Sequence, residues 1–112
     1  MIYYYTSLNA KQLTLEDFPE QWAMTQHNLA LAYSDRINGS RAENLERAIE
    51  FYEAALTVRT LEDFPKDWAM SQNNLALAYW QRINGSRAEN LERAIGFFKA
   101  ALTVRNLKLF DI

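Results

Sequence analysis

A segment of 46 residues occurs twice in succession in this chain, and this duplication constrains the fold more than any other feature. Residues 14–59 and residues 60–105 are identical at 37 of 46 aligned positions. A repeat length in this range is typical of solenoids, in which each unit buries an apolar face against its neighbour. The sequence therefore predicts two similar units that pack side by side.

The first half of each unit has the pattern of a helix that begins at an Asp-Phe-Pro group. Asp17 can cap this helix, and Pro19 is tolerated in the first turn because its missing N–H has no partner there. One face then repeats every three or four positions, at Phe18, Trp22, Gln26, Leu29, Tyr33 and Ile37. We expect Gly39 to end the helix in the left-handed conformation.

The second half of each unit begins with a capping box at Ser40-Arg41-Ala42-Glu43. An inner apolar stripe follows, formed by Leu45, Ala48, Ile49, Tyr52, Ala55 and Leu56. Together these patterns predict an all-α fold, an α-solenoid of antiparallel helix-turn-helix repeats. Residues 1–13 are expected to be an N-terminal cap or remnant helix, and residues 106–112 a C-terminal tail or the start of a further repeat.

Composition excludes several functions. The 112 residues carry a net charge of −2, no cysteine and one histidine, so a nucleic-acid surface, a cysteine nucleophile and a multi-histidine metal site are not expected. No nucleophile and base set or phosphate-binding glycine loop can be assembled, and we expect no enzyme activity, cofactor or metal. Without a signal segment or a long apolar run, we expect a cytoplasmic protein with no membrane partner.

The two units resemble the tetratricopeptide repeat family. The resemblance is carried by Leu29, Ala30, Tyr33, Ala48, Tyr52 and Ala55 in the first unit, and by Leu75, Ala76, Tyr79, Ala94, Phe98 and Ala101 in the second. It implies a helical protein-interaction scaffold or adaptor. The repeat period is twelve residues longer than the usual thirty-four of this family. The sequence of the repeat is similar to long tetratricopeptide arrays in cyanobacterial and other bacterial signalling proteins.

In this family the first helices line a groove that holds a peptide or protein segment, and this resemblance implies the candidate binding residues. They are Met24, His27, Asn28, Leu31 and Asp35 in the first unit, and Met70, Asn73, Asn74, Leu77, Trp80 and Gln81 in the second. The asparagines would hydrogen-bond a ligand backbone. No lysine or arginine accompanies Asn28 or Asn74 on this helix face, so a basic clamp is not expected.

Alternatives remain open for several of these side chains. The methionines and leucines could instead pack one first helix against the other, between the units. Trp80, which replaces Ser34 of the first unit, could anchor a partner or contact the C-terminal tail. His27, which Asn73 replaces in the second unit, is expected to be an ordinary surface histidine.

The alternative function is a self-assembling structural module. Two repeats are few for a stack, and each large apolar side chain left in water forgoes roughly 1.5–3 kcal/mol. The tail, a second copy of the chain or further repeats could cover the last unit. We expect a homo-oligomer formed through the terminal helices, with helix-pair exchange as one route, and its residues are Phe97, Val104, Leu109 and Phe110.

Overall fold

The computed structural model describes the backbone of residues 14–110 and the side chains of residues 14–104. Four helices follow one another: α1 Pro19–Asp35, α2 Arg41–Leu56, α3 Pro65–Gln81 and α4 Arg87–Phe110. Residues 14–110 contain no strand. The prediction of an all-α helical repeat fold is therefore confirmed.

Each helix packs against the next helix along the chain. Because short turns connect α1 to α2 and α3 to α4, the two helices of each pair run antiparallel. We call α1 with α2 repeat 1, and α3 with α4 repeat 2; the contact of α2 with α3 joins the two repeats. Ala30 and Ala48 are fully buried, which allows α1 and α2 to approach closely.

Aromatic pairs and the inner stripe of α2 fill the space between the helices. The ring of Tyr33 stacks on Phe51 at 5.5 Å, and the ring of Tyr79 lies 5.5 Å from Phe97. The predicted inner stripe of α2 is buried at Leu45, Ala48, Ile49, Tyr52 and Ala55. The sequence periodicity of the second helix is therefore confirmed.

The helix starts differ in part from the capping predictions. A turn places Phe18, not Asp17, at the N-cap of α1, and the backbone N–H of Asp17 donates to Thr14 Oγ1 at 3.2 Å. The prediction that Asp17 caps the helix is therefore wrong. At the start of α2, the hydroxyl of Ser40 accepts a hydrogen bond from the backbone N–H of Glu43 at 3.3 Å, as the capping box predicts.

The end of α1 also differs from the prediction. The helix stops at Asp35, before Ile37 and Gly39 are reached. Ile37 therefore lies in the connecting turn, where it is 96% exposed, and its assignment to one face of this helix is wrong. Gly39 does adopt a left-handed φ of 85°, but this conformation shapes the turn into α2 and does not close α1.

The helix α4 extends further than its counterpart α2, since it continues to Phe110 whereas α2 ends at Leu56. Leu109 and Phe110, two of the predicted self-association residues, are in this last part, and their side chains lie outside the described residues. Residues 1–13 also lie outside them, so the predicted N-terminal cap stays a prediction. None of the described helices combines the length and apolar character needed to cross a membrane.

Candidate functional site

Large apolar side chains are exposed along one face of the two first helices. On α1, Met24 is 50% exposed and Leu31 39%; their equivalents on α3, Met70 and Leu77, are 47% and 38% exposed, and Trp80 is 50% exposed. We call these five side chains the apolar face. Their exposure does not favour the alternative in which the methionines and leucines pack between the repeats.

Trp80 contacts an aromatic side chain of α4. Its ring meets the ring of Phe98 edge-on, with 6.2 Å between the centroids. The equivalent residues of repeat 1 are Ser34 and Tyr52. Two sequence differences between the copies are thus in contact, and together they give repeat 2 an aromatic platform.

An open cleft of about 530 Å³ lies beside this platform. Its lining residues are Arg41, Leu77, Trp80, Gln81 and Arg87. Arg41 donates from Nη2 to Gln81 Oε1 at 2.8 Å and from Nη1 to the carbonyl of Ser34, and Arg87 donates to the carbonyl of Trp80. The fold brings in these arginines from the starts of α2 and α4, so they line the cleft although they do not lie on the helix face that carries Asn28 and Asn74.

His27 lies between the two repeats and not on the surface. It is 4% exposed, and its ring Nδ1 lies 3.0 Å from Ser71 Oγ while Nε2 lies 3.2 Å from Asn74 Nδ2. The ring also meets Tyr52 edge-on, at 5.3 Å between centroids. The expectation of a surface histidine is wrong because α3 covers this part of α1.

The hydrogen bonds around His27 fit the neutral ring. The amide of Asn74 donates to Nε2, so Nδ1 carries the proton and donates to Ser71 Oγ, which also accepts from Arg59 Nη1 at 3.1 Å. Burial, followed by the positive charge of Arg59, lowers the pKa of His27. His27 is therefore uncharged at neutral pH and serves as a buried connector.

The two asparagines that were expected to hold a ligand backbone differ in their surroundings. Asn28 is exposed, whereas its equivalent Asn74 is half-buried and its amide donates to His27. Asn74 is thus committed to the contact between repeats. The remaining candidate binding residues, Asp35, Asn73 and Gln81, are exposed.

An ion pair that the sequence did not indicate also joins the repeats. Arg82, just after α3, donates from Nη2 to Glu46 Oε1 at 2.8 Å and from Nε to both carboxylate oxygens at 3.0 and 3.1 Å. Asn84 adds a hydrogen bond of 3.2 Å to the same carboxylate. The hydrogen bond from Arg82 lowers the pKa of Glu46. The only sequence signal was the presence of this arginine and this glutamate in both copies.

The self-association residues with described side chains are already covered. Phe97 packs on Tyr79 within its own repeat, and Val104 is 6% exposed. The predicted role of Phe97 and Val104 in self-association stays a prediction. Among the side chains of α4 that the structure describes, the exposed large apolar ones are Ile95, at 46%, and Leu102, at 52%.

Among the described residues, no group of three or more histidine, aspartate or glutamate side chains is placed to hold a metal ion. Comparison with known families matches the tetratricopeptide repeat to residues 22–60 and to residues 68–103, one match in each repeat. No curated protein and no solved structure matches the chain.

Proposed function

The chain belongs to the tetratricopeptide repeat family, whose repeats are generally protein-interaction modules, and from this premise we propose that it binds a peptide or protein segment along the apolar face of α1 and α3. The proposed role is that of a non-catalytic scaffold or adaptor. In support, the one histidine of the chain is buried and engaged by Ser71 and Asn74.

The observation that carries the proposal is the exposure of the apolar face. Side chains of this size contribute free energy when they leave water, and an exposed tryptophan is a common anchor of binding interfaces. The five residues lie at equivalent positions of two adjacent first helices, except for Trp80, which has a serine counterpart. A segment that crosses both helices can therefore cover Met24 and Leu31 of repeat 1 together with Leu77 of repeat 2.

The cleft beside Trp80 favours a particular ligand chemistry. Its floor contains Leu77 and Trp80, and the guanidinium groups of Arg41 and Arg87 line it. Guanidinium groups bind carboxylates through paired N–H donors. We therefore infer a segment in which a large apolar side chain enters the cleft and a neighbouring aspartate or glutamate meets the arginines.

Three fluorescein-labelled 12-residue peptides test this inference by fluorescence anisotropy. The first contains leucine and glutamate residues, the second has lysine in place of each glutamate, and the third has serine in place of each leucine. We expect the first peptide to bind, and the other two to bind at least about tenfold more weakly. Trp80→Ser, which introduces the residue found in repeat 1, should weaken binding of the first peptide by a similar factor.

Ile37→Ser provides the matched control, because Ile37 is a large apolar residue that is 96% exposed but lies in a turn outside the apolar face. This variant should bind the first peptide as the unmodified chain does. Equal binding of the glutamate and lysine peptides would contradict the proposed role of the arginines. Unchanged binding by Trp80→Ser would contradict the proposed site.

A further inference from the structure

The duplicated sequence allows the contact between the repeats to be identified residue by residue. Equivalent residues of the two copies have the same neighbours within their own repeat, so a residue that is buried in one copy and exposed in the other owes its burial to the adjacent repeat. We call the contact between repeat 1 and repeat 2 the internal seam. Repeat 2 contributes its first helix α3 to this seam, and repeat 1 contributes mainly α2.

The surface of α1 that corresponds to the α3 side of the seam is exposed. Leu75 of α3 is 2% exposed, whereas its equivalent Leu29 is 37% exposed. Ser71 and Ala78 are buried in the seam, and their equivalents in α1 are exposed. We call this surface of repeat 1 the leading face; its members are Thr25, Asn28, Leu29, Ala32 and Arg36.

The surface of repeat 2 that corresponds to the α2 side of the seam is also exposed. Ile49 is 5% exposed in the seam, whereas its equivalent Ile95 is 46% exposed. We call this surface the trailing face; its members are Asn73, Glu92, Ile95, Phe98 and Leu102. It includes an open groove of about 500 Å³ between the start of α3 and the end of α4. Several of the equivalent residues of repeat 1 are buried, among them Ala23, Tyr52 and Ala55.

The two faces carry opposite halves of the ion pair found in the seam. Arg36 of the leading face is the equivalent of Arg82, and Glu92 of the trailing face is the equivalent of Glu46. Within the described part of the chain, neither Arg36 nor Glu92 forms an ion pair. The molecule therefore presents an arginine at one end and its matching carboxylate at the other.

We propose that a second copy of this chain docks head to tail, with the leading face of one copy on the trailing face of the next and Arg36 paired with Glu92. The internal seam supplies the geometry, since the same residue types already pack in this way within one chain. The proposal does not depend on peptide binding, because Arg36 and Glu92 lie outside the apolar face; only Met70 of that face lines the groove of the trailing face.

Charge complementarity favours a second copy over the N-terminal segment as the occupant of the leading face. Residues 1–13 include no aspartate or glutamate, so they offer no side-chain carboxylate to Arg36. Glu92 of another copy offers one at the position that Glu46 has in the seam. Because the contact joins two different faces, it does not close on itself as a two-fold dimer does, and each added copy leaves one face of each kind free.

Sedimentation velocity at low salt, on the full chain from roughly 10 µM to about 1 mM, tests the proposal. We expect the average mass to rise continuously with concentration and to pass beyond that of a dimer. Glu92→Arg alone and Arg36→Glu alone should each weaken self-association at least about tenfold, because each places like charges opposite one another. An equimolar mixture of the two variants should restore it to within about threefold, because arginine again meets glutamate at each junction.

Thermal unfolding of each single variant at low concentration checks that repeat folding is preserved, since Arg36 and Glu92 lie outside the internal seam. A single monomeric species over the whole concentration range would overturn the proposal and would indicate that the chain's own terminal segments cover these faces. Self-association that is unchanged in either variant, or that the mixture does not restore, would also overturn it. Peptide binding by the apolar face is measured separately, by fluorescence anisotropy, so failure of one proposal is distinguishable from failure of the other.

Discussion

The two repeats show how the same residues behave with and without a neighbour on a given side. Although 37 of 46 positions are identical, Leu75 is 2% exposed and its equivalent Leu29 is 37% exposed. On the other side of the internal seam, Ile49 of repeat 1 is 5% exposed, whereas its equivalent in repeat 2, Ile95, is 46% exposed. The burial of a residue in these repeats is therefore determined by the adjacent repeat as much as by the sequence of its own repeat.

The positions at which the copies differ add to this comparison. His27 is buried in the internal seam, whereas Asn73, its equivalent, is exposed on the trailing face. The serine at position 34 has been replaced in repeat 2 by Trp80, whose ring contacts Phe98. Because of these differences, repeat 1 contributes a titratable side chain to the internal seam, and repeat 2 has an aromatic platform on its part of the apolar face.

The largest expected effect is on the free energy of unfolding, when either of the equivalent leucines, Leu75 or Leu29, is replaced by alanine. Leu75→Ala should lower the free energy of unfolding by roughly 2–5 kcal/mol, because it leaves a cavity in the core between the repeats. Leu29→Ala, at the equivalent but partly exposed position, should lower it by less than about 1 kcal/mol. Urea unfolding followed by circular dichroism measures both values at low protein concentration. Equal losses would show that the two leucines share one environment.

A smaller effect concerns pH and the histidine that only repeat 1 contains. Because burial lowers the pKa of His27 in the folded chain, the unfolded chain binds the proton more readily. Unfolding free energy should therefore be fully retained above about pH 6.5 and should fall as the pH drops below it, by at most about 1.4 kcal/mol per pH unit. His27→Asn should remove this part of the pH dependence.

Asn73→His provides the matched control for the pH experiment, because position 73 is exposed. A histidine there should add no comparable loss of stability in mild acid. Thermal unfolding between about pH 7.5 and about pH 5.5 measures the three proteins side by side. A pH dependence that persists unchanged in His27→Asn would assign it to the carboxylates instead.

The smallest expected effect is on helix stability at Gly96, whose equivalent in repeat 1 is Glu50. A Cβ atom at Gly96 would have no heavy atom within 4 Å. Gly96→Ala should therefore stabilise α4 by roughly 0.5–1 kcal/mol, and Glu50→Gly should destabilise α2 by a similar amount. The salt bridge from Glu50 to Arg47 is exposed and contributes little. A destabilised Gly96→Ala variant in thermal unfolding would indicate close approach of another chain at this position.

The all-α repeat fold and the inner stripe of α2 could be predicted because they depend on periodicity, which a sequence shows directly. The wrong predictions concern residues whose chemistry or spacing is compatible with more than one local backbone structure. Asp17 had the chemistry of a cap, but a turn anchored by Thr14 places Phe18 there instead. Ile37 continued the helical period, yet the helix stops at Asp35.

The candidate site was predictable only within single helices. The exposed positions of Met24 and Leu31 follow from the spacing of residues on α1. The burial of His27 depends on α3, and the position of Arg41 beside Gln81 depends on how α2 meets the end of that helix. Contacts between residues that are distant in sequence require a known packing arrangement, which local periodicity does not provide.

The difference between His27 and Asn73 has a consequence for any assembly of this chain. A filament of stacked copies would contain two kinds of junction in alternation, one within each chain that buries an imidazole and one between chains that has an amide in its place. Only the first kind can respond to mild acidification through that ring. Mild acid would then weaken the junction within each chain, which is every second junction of the filament, and would leave the junctions between chains unchanged.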